Sequence, residues 1–73
     1  MQITHLEREF KDEIETGKFF ISFDFSNKRY IIDSEELHNV ACDAYRDNSE
    51  VQPMFSKEDS QQIVNLLVYD YDL

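Results

Sequence analysis

One glycine, one proline and one cysteine stand in this chain of 73 residues, and tryptophan is absent. The lone Gly17 excludes glycine-rich phosphate cradles, dinucleotide fingerprints and the elbow that exposes a hydrolase serine, because each needs several glycines at fixed spacing. With Cys42 alone there is no internal disulfide, and with only His5 and His38 as imidazoles a structural zinc site lacks ligands. No apolar run approaches the ~20 residues that cross a bilayer. The opening Met1-Gln2-Ile3-Thr4-His5 has neither the basic nor the apolar region of a secretory signal, so a reducing cytoplasm is the expected setting for the thiol. Basic residues are also few: 7 Lys and Arg face 16 Asp and Glu, a formal charge of −9. That sign opposes direct binding to nucleic acid or to an anionic membrane, where attraction to phosphate leads.

What the chain does have is apolar material, 41% of residues, with six Phe and four Tyr. This suffices for one core, and residues 1–73 read as a single acidic domain. A chain this short hides only about 60% of its extended surface. Small domains gain reinforcement from disulfides, metals or a second subunit. The first two are excluded here, so a homodimer is expected.

The fold class expected from the pattern is α+β, in the order helix, β-hairpin, helix, helix, with the helices packed on one face of the hairpin. Thr4 and Glu7 match a capping box, Ile3, Leu6, Phe10 and Ile14 recur at helical spacing, and Gly17 follows where a helix-terminating glycine belongs. A first helix is therefore predicted from Thr4 to Thr16. Phe19, Ile21, Phe23 and Phe25 alternate with Phe20, Ser22 and Asp24, which predicts a strand, and Arg29 to Asp33 returns as its partner after Ser26-Asn27-Lys28. Asp33 and Glu36 form a second capping signal, followed by an apolar face of Leu37, Val40, Ala41, Ala44 and Tyr45 on a helix ending near Asp47. Asn48 to Phe55, with Pro53, reads as a loop. Ser56 and Asp59 open a predicted third helix whose apolar set, Ile63, Val64, Leu66, Leu67, Val68 and Tyr69, exceeds one stripe. The tail from Tyr69 to Leu73 alternates, so residues 66–73 stay open between helix and a third strand.

Catalytic and metal chemistry find little support. Cys42 follows His38 by four residues and lies beside it on one helix face, a spacing that can activate a thiolate. Pocket and oxyanion donors are not visible in the sequence, and the plain expectation is a thiol at the border of the core beside a solvated imidazole. Asp24-Phe25-Ser26-Asn27 begins like a calcium loop but lacks its glycine and bidentate Glu. No enzyme activity, cofactor or metal is expected.

The acidic surface carries the functional expectation. Carboxylates three or four apart on a helix lie about 5–6 Å from one another, and successive phosphates rise about 3.4 Å along a nucleic-acid strand. Glu9, Asp12 and Glu13 on the first predicted helix form one candidate row, and Glu35, Glu36, Asp43 and Asp47 on the second form another. Asp70 and Asp72, with Tyr69 and Tyr71 as aromatic anchors, extend the candidate binding surface. Solubility alone is the competing explanation of the same charge.

In size, charge and aromatic content, though in no motif, the chain resembles the phage-encoded acidic inhibitors that imitate DNA. The resemblance implies a non-enzymatic decoy acting in the cytoplasm of a bacterial host. Its partner would be a basic DNA-binding or nucleic-acid-processing protein, such as a histone-like nucleoid protein, a polymerase or a nuclease. Two alternatives remain: an adaptor docking through the apolar third helix, and an immunity protein or antitoxin against a basic nuclease.

Overall fold

A computed structural model describes residues 1–69. It contains a five-stranded mixed sheet and one helix, in the order β1 (Ile3–Lys11), β2 (Ile14–Phe23), β3 (Tyr30–Ile32), α1 (Glu35–Asp47), β4 (Glu50–Phe55) and β5 (Gln62–Tyr69). Across the sheet the order is β1-β2-β3-β5-β4. Only β3 and β5 are parallel, and the chain reaches β5 by way of α1 and β4.

This overturns the helix, hairpin, helix, helix arrangement. Thr4–Thr16 is not a helix but most of a long β-hairpin, β1 with β2. The helical spacing of Ile3 and Leu6 has another cause. The register shifts between Ile3 and His5, so Ile3 faces Phe23 and Leu6 faces Ile21 on the same side of the sheet. A bulge thus gives a strand the i, i+3 apolar spacing of a helix. The other two members of the supposed stripe, Phe10 and Ile14, are 60% and 70% exposed. Gly17 ends no helix. It lies within β2 at φ +84°, near the second register shift, which falls between Arg8 and Phe10. A Cβ there would meet nothing within 4 Å, so backbone conformation and not space asks for glycine.

The third predicted helix is β5. Its β-branched Ile63, Val64 and Val68 and its Tyr69 favour a pleated surface, and an apolar run of this length fits a strand as well as a helix. The capping signal also dissolves: the Ser56 hydroxyl accepts from the Glu58 N–H and the Asp59 carboxylate from the Gln61 N–H, both within the loop before β5. Residues 66–69 of the undecided tail are strand, and 70–73 lie outside the described residues.

Asn48–Phe55 is not simply a loop, since β4 occupies most of it. Pro53 is compatible because β4 is an edge strand. The Val51 N–H points away from β5 and donates to the Met1 carbonyl at 2.7 Å. Pro53, two residues on, has its missing donor on that same outer side, so no ladder bond is lost. The Met1–Val51 bond also brings the start of the chain to the far edge of the sheet, where the Met1 ammonium pairs with Glu50.

Two sequence-level elements recur. Phe19–Ile21 pair antiparallel with Tyr30–Ile32, now as inner strands. The helix over 35–47 is capped by Ser34, one residue later than Asp33, with its side chain accepting from Leu37 N–H, and it closes on Asn48 in the left-handed region. Against α1 the sheet buries Phe19, Ile21, Phe23, Ile32, Val51, Ile63 and Leu66, and α1 contributes Ala41 and Ala44.

The turn residues Asp12 and Glu13 both have positive φ, 53° and 69°, as a two-residue hairpin loop requires. Neither is glycine, which costs roughly 1 kcal/mol per position. Glu13→Gly should therefore raise stability by up to about 1 kcal/mol in urea unfolding. In the same measurement Ile32→Ala should lower it by about 2–5 kcal/mol, whereas Phe10→Ala should stay within about 0.5 kcal/mol.

Candidate functional site

The helix divides the covered face of the sheet into two grooves. On the β5 side, one depression of about 410 Å3 is lined by Val40, Asp43, Ala44, Asp47, Ser49 and Val68. A second, of about 240 Å3, is lined by Ser34, Glu36, Leu37, Val40, Val64 and Asn65. Val40 belongs to both, so they run together along α1. At 100° per residue, Glu36, Val40, Asp43 and Asp47 fall within a narrow arc of the helix. The result is a channel with an apolar floor (Val40, Ala44, Val64, Val68) and a carboxylate rim.

The other predicted acids are not gathered. Glu9 lies on β1 and accepts a 2.6 Å hydrogen bond from the Thr16 hydroxyl. Asp12 and Glu13 sit at the hairpin tip, well away from α1 along a molecule 45 Å in its longest extent. The first predicted row therefore does not exist as a row, because its helix does not. Glu35 opens α1 with its carboxylate 4.0 Å from the Arg8 guanidinium. Arg46 divides its attention between Asp43, at 2.8 Å, and Asp47, at 3.9 Å. All these groups are largely exposed, so the pairs contribute little to stability. Their effect is on the field, since Arg46 halves the net charge beside Asp43 and Asp47. Tyr69 ends β5 at the surface. Asp70, Tyr71 and Asp72 fall outside the described residues.

On the β1 side of α1, a groove of about 570 Å3 is lined by Leu6, Glu7, Arg8, His38, Cys42, Tyr45 and Arg46. The spacing of His38 and Cys42 was legible in the sequence; Arg8 and the space beside it were not, because β1 was read as helix. His38 is not solvated. It is 6% exposed, stacks on Phe19 with ring centroids 3.8 Å apart, and places Nε2 3.4 Å from the Cys42 Sγ. Burial holds its pKa below the ordinary 6.5, the Arg8 charge lowers it further, and Glu35 opposes both. Among the described residues no three His, Cys, Asp or Glu come together to hold a metal ion, and no helix is long and apolar enough to cross a membrane.

No family model matches this chain, and neither a curated protein nor a solved structure does.

The lowered pKa of His38 sets a pH dependence. Below about pH 6.5 the unfolded chain takes up this proton while the folded chain does not, so stability falls with acidification from that value downward and is fully present above it. His38→Gln should flatten the slope of unfolding free energy against pH between the lowered folded value and 6.5, as read by urea titrations at a series of pH values.

Proposed function

We propose that the protein is a non-enzymatic acidic binding module that accepts a basic amphipathic segment of another protein in the α1/β5 channel. The observation that carries this is the coincidence of apolar floor and acidic rim. Val40, Val64 and Val68 are each exposed yet neighbours, and Glu36, Asp43 and Asp47 stand over them. A helix or strand with Lys and Arg flanking aliphatic side chains would satisfy both parts. The −9 charge would speed its approach.

Proteins that bind nucleic acid are the partner class that carries such segments, in keeping with an inhibitor of the phage type working in a bacterial cytoplasm. The supporting surface is a channel, however, and not a pair of carboxylate rows at phosphate spacing. Arg8 and Arg46 interrupt the rows that strict imitation of DNA would need.

A second reading rests on the opposite face of the sheet, which α1 leaves uncovered. Leu67 and Met54 are exposed there, and the half-buried Phe20 and Ile31 lie farther along the same face. This face, and not a third helix, is where an adaptor or a second copy of the chain would dock.

The two separate by salt and by charge reversal. A Lys/Arg-rich amphipathic peptide, titrated by fluorescence anisotropy, should bind several-fold more weakly at 300 mM than at 50 mM salt. The triple variant Glu36→Lys, Asp43→Lys, Asp47→Lys should lose on the order of tenfold or more in affinity, whereas Asp12→Lys with Glu13→Lys at the hairpin tip should change it little. Salt-independent binding that survives the triple reversal but is lost in Leu67→Asp favours the uncovered face instead.

A further inference from the structure

β3 is three residues long, whereas its neighbours β2 and β5 have ten and eight. It pairs with β5 at Gln62 and Ile63 only, and with β2 no further down than Phe19. After Ile32 the chain leaves for α1, and among the described residues no strand continues that column. β5 is therefore an inner strand at its start and an edge strand from Val64 onward, with β4 on one side alone. The backbone groups on this second edge follow from β4. The Val51 N–H points away from β5, so by alternation Gln52 and Met54 turn their N–H and C=O towards it. Their partners are Leu67 and Asn65. Leu66 and Val68 consequently direct N–H and C=O to the other side, where β3 has ended. An independent contact agrees: the Leu66 N–H donates to the side-chain oxygen of Asn65, at 2.8 Å, and not to a backbone carbonyl. A neighbouring side chain acting as acceptor marks an edge donor that has no strand to bond. This edge borders the acid-rimmed channel, where Val64 and Val68 lie across from Val40 of α1.

Resting on the reading of the channel as a site for a basic segment, we propose that the segment binds as an added β-strand. It continues the column of β3, exchanges backbone hydrogen bonds with Leu66 and Val68, and carries Lys or Arg at every second position. Side chains alternate across a strand, so every second one faces α1. Each cation lays its stem on Val40, Val64 or Val68 and its head group against Glu36, Asp43 or Asp47. The spacings agree, since alternate residues of a strand lie about 6.6 Å apart and carboxylates one helical turn apart are separated by about 5–6 Å. Glu36 has no ion-pair partner among the described residues, and Arg46 is shared between Asp43 and Asp47. The intervening side chains of the segment point to the opposite face, where Leu67 is exposed. Asn65 yields the Leu66 N–H to a carbonyl of the incoming strand. A helix in the same channel satisfies its own backbone and leaves Leu66 and Val68 unmatched.

The test uses a peptide of alternating Lys and Val and two derivatives of it, one N-methylated on the backbone of every Lys and the other on that of every Val. The two derivatives have the same charge and composition, but in an extended chain their methyl groups project from opposite edges. Titrated against the full chain, one derivative should bind on the order of tenfold or more weakly than the parent, and the other should stay within about threefold. Amide hydrogen exchange followed by NMR should slow on the order of tenfold or more at Val68 when the parent peptide binds. The amides of Asn65 and Leu67, already bonded to β4, should change little. Equal loss or equal retention in the two derivatives, or a Val68 amide that exchanges no more slowly in the complex, overturns strand addition. The channel reading then still stands or falls on its salt dependence and on the triple reversal of Glu36, Asp43 and Asp47. A parent peptide that fails to bind at low salt overturns both.

Discussion

A single amphipathic helix has to cover one face of a five-stranded sheet, and the rest of the molecule is arranged around that shortage of material. α1 is 13 residues long, about 20 Å at the standard rise. It seats Ala41 and Ala44, its smallest side chains, against the large Phe19, Ile21, Phe23 and Ile32 of the sheet. Small against large lets the helix come close, which the dense packing of interiors demands. Because the covering is one helix wide, a groove remains on each flank. The grooves are the by-product of how the core is closed: acid-rimmed on the β5 flank, cysteine-bearing and lined by ion-paired arginines on the β1 flank.

The legible parts of the fold were those whose pattern admits one explanation. Strict alternation from Phe19 to Phe23 gave a strand because nothing else has period two. The segment around 35–47 gave a helix because the Asp33–Glu36 capping signal, one residue off the actual cap Ser34, and the apolar spacing agreed. Elsewhere local signals were coincidences that long-range pairing overrode. Thr4 and Glu7 form a capping box in letters alone, and the bulge after Ile3 reproduced a helical repeat. Ile63 to Tyr69 is apolar on both sides because one side meets α1 and the other faces outward, which a helical wheel cannot distinguish from a buried helix.

The site was legible to the same degree. Glu36, Asp43 and Asp47 come from the correctly placed helix, and they do share a face. Glu9, Asp12 and Glu13 were grouped through a helix that is a hairpin, so their shared face vanished with it. Arg8 illustrates the cost of such an error: one residue on a misassigned strand turns out to border both Glu35 and the Cys42 groove, and no spacing rule would have joined them.

Pro53 has a consequence beyond tolerance of its position. Unlimited end-to-end growth of a sheet requires two receptive margins, and the outer side of β4 lacks a donor midway along its length. Its first outward donor, at Val51, is already occupied by Met1. Strand-by-strand growth is thereby blocked on one side, and addition through the other edge, β1, would stop at a pair.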